Sequence, residues 1–472
     1  MASTVATVAI VGGGLAGLAA GCALSDAGFR VTLMERRPFV GGRASSYEHP
    51  GTGEVVDNCQ HVLLGCCTNL IRFYEQLGIA NDVEWFERLT FVEPGGRAST
   101  LVPTFLPAPM HSMPSFFATK SLSAGDKLAI SRALMSIMML GDHTPDSSQD
   151  FLDWLRKHGQ TERAIERFWK VILVSALNED LDRISVRYAV QVFRESFLKS
   201  AEAGKMGVPR VPLSDLYGNA AEHIREAGGE VLLRTSATSF QADSDGVSIG
   251  LNQGHRQFDY AILAVPFQLA AGLLPENAVA QPLRNELSRF DSSPITGIHL
   301  WFDRVITELP HAVLLDRTIQ WMFQKSKFLQ AREAKAGDSG RDSGSYIELV
   351  VSASRSLVEK SRQEVLDIAL AELAEFFPRV AEARLVKAAV IKEIYATYSV
   401  VPGLDQHRPG ARTAWPRLFL AGDWTATGWP ATMEGAVRSG YLAAEALAES
   451  CGRPQTFLAP DLPSKGLMRL FR

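Results

Sequence analysis

Cysteine is scarce in this chain: five residues in 472 (Cys22, Cys59, Cys66, Cys67 and Cys451), odd in number, with one adjacent pair and no CxxC spacing. That pattern excludes a zinc ribbon and a disulfide framework and fits free thiols in a reducing compartment; no metal site is expected. Long Lys/Arg runs are absent, the net charge is −4 and the isoelectric point is near 6.2. A nucleic-acid binder needs a basic patch or stripe, so that class is set aside. Apolar runs stop short of the roughly 18 residues that a membrane span requires. The nearest approach, LAISRALMSIMML from Leu128 to Leu140, contains an Arg. The apolar start VATVAIVGGG has no charged segment before it and runs straight into glycines, so it reads as a first strand rather than an export signal. A cytoplasmic location is expected, either free or peripheral on the inner face of the membrane, and no internal repeat is found.

With 46% hydrophobic residues, the chain is long enough for two domains or one large discontinuous one. Val5 to Val11 is an apolar, β-branched run ending in glycines, which suits a strand buried on both faces of a parallel sheet. In GGGLAGLAAGCALSDAGF each glycine has its own task. Gly12 allows the tight turn, Gly14 the approach of backbone to a pyrophosphate, and Gly17 close helix–sheet packing. Leu15, Leu18, Cys22 and Leu24 are expected to face the sheet. Arg30 to Met34 is the second strand, and Glu35 at its end can accept hydrogen bonds from both ribose hydroxyls of a dinucleotide. An acid there disfavours NADP without separating NAD from FAD. The separation comes from ERRPFVGGRASS, where Gly41, Gly42 and Arg43 offer a second clamp on a pyrophosphate, and this points to FAD.

These residues resemble the flavin amine oxidase and carotenoid desaturase superfamily, whose members carry an ERR-x3-GGR-like stretch after the dinucleotide fold, and the similarity spans almost the whole chain. VDNCQHVLLGCCTNL (Val56 to Leu70), SALNEDLDRIS (Ser175 to Ser185) and LAGDWTATGWPATMEGAVRSG are similar to one branch, the squalene-associated FAD-dependent desaturases, or hydroxysqualene dehydroxylases, of hopanoid biosynthesis. One departure is Cys59, where the branch has glycine in DNGQH. The resemblance implies a Rossmann-like α/β FAD domain with a parallel sheet, built from residues 1–76, 207–283 and 391–455. An inserted α+β substrate domain of residues 77–206 and 284–390 and a tail of 456–472 complete the chain.

It also implies residue roles. Gly12, Gly14, Leu15 and Ala16, with Gly17 packing behind them, would cradle the pyrophosphate; Glu35 and Arg36 would lie at the adenosine end, and Gly42 and Arg43 on the flavin side. Asp57 to His61, including Cys59 and Gln60, would run beside the isoalloxazine ring, and the Ala237 backbone would meet the adenine. A helix opening at Thr432 and Met433 can polarise the ring end through its unpaired amides, and Asp423 after Gly422 can accept a hydrogen bond from the ribityl chain. Trp424 and Trp429 either wall a tunnel or pack the turn.

The implied reaction replaces an allylic hydroxyl of a long isoprenoid by hydrogen, with hydride from reduced FAD and release of water. Such a reaction asks for a proton donor, and His61 is the first candidate, with Gln60 and Asn178 after it. The alternatives are a carotenoid-type desaturase and a prenyl-binding carrier without flavin chemistry.

Elsewhere the texture changes. PTFLPAPMHSMPSFF sets six bulky apolar residues among helix breakers, which fits either core packing or contact with a lipid tunnel or membrane. Helices are expected at Lys127 to Leu140, Asp150 to Gly159 and Ser185 to Leu198, then a helix from Ser214 to Ala227, with strands near Val231 and Val247 and in FDYAILAVPF and SYIELVVSAS. Gly337 to Ser345 reads as a polar turn or surface loop. The tail SKGLMRLFR is a short basic amphipathic segment, either a frayed end or a weak membrane-surface element.

Overall fold

The computed structural model of the chain describes residues 5–140, 148–243, 245–252, 254–275, 277–329 and 344–471. Its organising element is a five-stranded parallel sheet. In spatial order the strands are Glu230–Leu232, Arg30–Met34, Thr7–Val11, Tyr260–Leu263 and Leu418–Leu420. The first strand thus sits at the centre, buried on both faces as its unbroken apolar run requires. Crossovers bring the last strand, about four hundred residues downstream, to within one strand of it.

The helix Leu15–Asp26 follows the glycine loop and is buried all round. The sheet alone does not explain this. The long helix Met433–Ser450 packs against its other side so closely that a Cβ on Gly440 would fall 2.2 Å from the Ala16 carbonyl. The helix Leu213–Glu226 closes a further side, with Ile224 against Gly21. The expected sheet-facing residues Leu15, Leu18, Cys22 and Leu24 are all buried, but so are the residues between them.

A second layer is a seven-stranded, mostly antiparallel sheet in the order Leu385–Tyr398, Ser292–Phe302, Ser345–Ser352, Trp321–Gln324, His311–Leu314, Leu89–Val92 and Ala98–Leu101. It has its own apolar core, with Ile298, Leu300, Met322 and Leu349 packed on the helix Arg362–Phe376. The strand Leu385–Tyr398 runs on past residue 390, where the substrate segment was expected to end. A helical cluster completes the molecule, and its helices begin at sequence-encoded caps: Ser123 with Asp126 for Ala124–Met139, and Asp150 for Phe151–Lys157. The segment expected as one helix to Leu198 runs as Val186–Val192 and then widens into a π turn over Phe193–Leu198. The expected polar loop at Gly337 to Ser345 lies outside the described residues up to residue 343.

Candidate cofactor and active site

Parallel strands leave a crevice beyond their carboxyl ends, and ligands bind there. Four strand ends converge on one cavity of about 660 Å³: Gly12 and Gly14 after the first strand, Glu35 after the second, Ala264 and Val265 after the strand Tyr260–Leu263, and Gly422 and Asp423 after the last. The volume lies within the roughly 300–1,000 Å³ of small-molecule and cofactor sites.

The glycines at the near end are required by geometry. Gly12 adopts φ +114°, and a Cβ there would be 2.4 Å from the Ala264 carbonyl oxygen. Gly17 does not reach the cavity; its Cβ would fall 1.9 Å from the Gly12 carbonyl oxygen, so it serves the shape of the loop. Gly14 differs from both. A Cβ there would meet nothing nearer than Gly42 Cα at 4.0 Å, so the backbone of the two glycine turns is left bare toward the cavity. Leu15 and Ala16 line the same end at the start of their helix. Glu35 is held rigidly: one carboxylate oxygen accepts from the Gly13 amide and the other from the Arg37 amide, each at 2.8 Å. Arg36 and Ala237 also line the cavity. A bare glycine cradle at a helix N-terminus, with a fixed carboxylate beside it, fits a dinucleotide's pyrophosphate and ribose.

The far end is built by residues from opposite ends of the sequence. Arg43 donates to the Ala396 carbonyl at 2.9 Å and pairs with Asp423 at 2.6 Å. Gly422 takes φ +144°, where a side chain is strained and would strike the Trp424 ring. The helix Met433–Ser450 starts at the cavity, and Thr432 caps it by accepting from the Gly435 amide at 3.0 Å. Its first free amides therefore stand at the wall. Trp424 is buried, donates to the Val265 carbonyl at 2.9 Å and does not line the cavity. Trp429 packs against Cys66, Ala203 and the Arg438 guanidinium, again away from the cavity. Both tryptophans pack the turn.

Arg408 organises that turn, and sequence reasoning missed it. Its fully buried guanidinium donates to the carbonyls of Asp423 at 2.9 Å and Trp424 at 3.4 Å, to the Thr425 carbonyl, and to Thr427 at 3.2 Å. Its signal is faint, a lone arginine before a Pro-Gly pair.

Asn58, Cys59, Gln60 and His61 form another stretch of wall. Asp57 does not; it is buried behind them, bonded to Ser46, the Leu213 amide and Lys325. His61 is half-buried, and its Nδ1 lies 2.8 Å from the Cys59 carbonyl. A carbonyl only accepts, so Nδ1 carries the proton and Nε2 of the neutral ring is an acceptor. Burial holds this imidazole below its ordinary range, against the opposing pull of the Cys59 carbonyl. His61 must therefore take up a proton before it can give one. Gln60 spans Lys325 and the His61 carbonyl at 2.8 Å each. Asn178 lines the cavity, but its amide is committed to the Ser293 carbonyl, Thr397 and the Ala353 amide. Burial pushes the Cys59 thiol well up, so it stays protonated and weakly nucleophilic. Among the described residues no His, Cys, Asp and Glu cluster can hold a metal ion.

The cavity also has apolar lining, interspersed with polar residues such as Ser175 and Gln268. Val265, Leu269 and Leu273, from the segment opening the helix Phe267–Leu273, face it together with Ala176 and Ile295.

Comparison with known proteins agrees with this architecture. Residues 15–448 match the model of the flavin containing amine oxidoreductase family. The chain is 28% identical to a 15-cis-phytoene desaturase of Synechococcus elongatus, over 93% of this chain and 95% of that protein. It is 29% identical to a zeta-carotene desaturase of Synechocystis, over 95% and 98%. A solved structure of a putrescine oxidase variant superposes with a TM-score of 0.71 at 18% identity, covering 95% of this chain and 98% of that one, which shows the shared fold. With the glycine cradle, Glu35 and the cross-chain far end on one cavity, the chain belongs to the flavin containing amine oxidoreductase family and is an oxidoreductase whose cofactor is FAD.

Proposed function

We propose that this enzyme reduces hydroxysqualene to squalene, with loss of water, as a step of squalene and hopanoid biosynthesis. The observation that carries the reading is the meeting of two segments similar to hydroxysqualene dehydroxylases, VDNCQH and AGDWTATGWPATMEG, on one cavity that also carries the apolar residues Leu269, Leu273 and Ile295. FAD, when bound and reduced, supplies hydride to an allylic carbon. The chain's residues do the rest. The apolar flank of Leu269, Leu273 and Ile295 accepts an isoprenoid chain and excludes water. His61, once protonated, gives its proton to the departing hydroxyl, and Gln60 holds the His61 backbone in place. Arg43, paired with Asp423, and the amides at the start of Met433–Ser450 stabilise negative charge at the far end.

The substrate passes from a membrane. The loop carrying Phe105, Met110 and Phe117 exposes these side chains, and the tail segment exposing Leu467 and Leu470 is bonded to the same loop through the Leu467 amide and the Ala108 carbonyl at 2.8 Å. Among the described residues no helix is long and apolar enough to cross a membrane, so this contact would be peripheral.

A second reading is favoured by the relatives named carotenoid desaturases: removal of hydride from an unfunctionalised polyene such as phytoene. One experiment separates the two. The purified flavoprotein is incubated anaerobically with a reductant and hydroxysqualene, and aerobically with a quinone and phytoene, and the products are read by mass. Squalene in the first arm supports the proposal; its absence, with desaturated phytoene in the second, replaces it.

A further inference from the structure

Behind the Asn58–His61 wall lies a buried charged cluster. Lys325 follows the strand Trp321–Gln324 and is 2% exposed; its ammonium lies 2.7 Å from Asp57 and 2.8 Å from the Gln60 side-chain oxygen. Its third neighbour is Glu348, at 3.4 Å. Glu348 is fully buried, and among the described residues neither of its oxygens accepts a well-formed hydrogen bond. Directly opposite it across the antiparallel strands stands His299, also fully buried. His299 Nδ1 pairs with the Tyr346 hydroxyl at 2.8 Å, while Nε2 has no partner among the described residues. The cluster abuts the wall: a Cβ on Gly297 would lie 3.6 Å from His299 Nε2, 3.7 Å from Cys59 Cα and 3.4 Å from the Asn58 carbonyl oxygen.

Two carboxylates around one ammonium leave an excess negative charge in a dry interior, which is costly. One proton on Glu348 resolves this: the cluster becomes neutral. We infer that Glu348 is a proton-holding site, taking one proton from solvent when the bound FAD is reduced and returning it on reoxidation. Reduction would deliver two electrons and one proton to FAD from the reductant and solvent, and a second proton from solvent would enter the Glu348 carboxylate, with no bond broken in the protein. Negative charge gained by the cofactor across the wall raises the proton affinity of the nearest buried carboxylate.

The other groups facing Glu348 do not compete. Burial raises the Asp57 carboxyl, but Lys325, Ser46 and the Leu213 amide outweigh it and keep it ionised. Burial pushes His299 down to about 3, with Lys325 adding to the effect, and pushes the Cys59 thiol and Tyr346 phenol well up, so these three stay neutral. Burial pushes Glu348 itself up to about 7 against the pull of Lys325.

This inference rests on the reading that Asn58–His61 faces the flavin ring, independently of the substrate. The test is the flavin reduction potential measured from pH 6 to 9, roughly the window around neutral ionisation, in the wild-type holoenzyme and in Glu348→Gln. Glutamine has the shape and charge of the protonated acid, so folding should be retained. The wild-type slope above about pH 7 should exceed the variant's by ~30 mV per pH unit, one proton per two electrons. An infrared reduced-minus-oxidised spectrum of the wild type should show a new protonated-carboxyl band, which decides the matter even if the variant does not fold. Parallel slopes, or no such band, overturn the proposal. Cys59→Ala should shift the visible flavin band; an unshifted band removes the ring-facing reading and the proposal with it, while a shifted band with parallel slopes removes the proposal alone.

Discussion

Arg43 and Asp423, 380 positions apart in the chain, pair at 2.6 Å across the far end of the cavity. The contact joins the turn after the second strand to the turn after the last, so the site is completed only when both ends of the chain have folded. Asp423→Ala leaves the guanidinium without its partner. Because Arg43 is partly exposed, we expect a loss of FAD affinity of ~1–2 kcal/mol, a factor of about 5–30. Titration of apoprotein with FAD by fluorescence quenching checks this, and Asp423→Glu should retain more affinity than the alanine variant.

The glycine loop makes a paired prediction. Gly17→Ala forces a methyl into the Gly12 carbonyl and should destabilise the apoprotein by up to ~3 kcal/mol, read by denaturant unfolding. Gly14→Ala has room in the apoprotein and an extended backbone at φ −77°, so unfolding should be unchanged while FAD binding weakens about tenfold or more. Equal effects of the two variants on the apoprotein would contradict the separate roles.

These residues stand in a recognisable strand–loop–helix–strand–acid order, and the strand Arg30–Met34 is found where the sequence places it. Local pattern carries them because strand, glycine loop, helix and acid follow one another directly in the chain, although Gly12 and Gly14 meet Ala264 and Gly42 in the fold. Lys325, Glu348 and Arg408 were not legible. They come from segments without a motif, and their burial follows from strand pairing and loop closure between distant parts of the chain. The all-round burial of Leu15–Asp26 was hidden for a similar reason, since the helix that covers it lies at the other end of the sequence.

His61 has a pH signature. Its folded-state proton affinity is depressed by burial, so the protonated, donating form appears only as pH falls below the ordinary imidazole range. If it supplies the proton, turnover of hydroxysqualene should rise as pH falls through and below about 6.5. His61→Ala should retain FAD, flatten that limb and lose about 10²-fold in rate. The linkage has the opposite sense for stability: the folded state resists protonation at His61, so its contribution is complete above about pH 6.5 and is lost as pH falls. Unchanged turnover in His61→Ala would remove it from the chemistry.

The exposed apolar face predicts binding to lipid. Phe105 is 97% exposed and Leu470 78%, and Lys465 and Arg469 lie beside the latter. Sedimentation with vesicles containing anionic lipid should carry down the wild type, and Phe105→Ser with Leu470→Ser should reduce the bound fraction several-fold, with FAD content unchanged. Equal sedimentation of both proteins would contradict a contact through this face.

The most direct test of the central claim follows the hydride. The holoenzyme is reduced chemically in D2O, so that the transferable hydrogen of the cofactor is deuterium, and is mixed anaerobically with hydroxysqualene for a single turnover. The account predicts squalene carrying one deuterium at the carbon that bore the hydroxyl, formed as the oxidised flavin band returns. Return of that band without squalene, or squalene without deuterium, would contradict it.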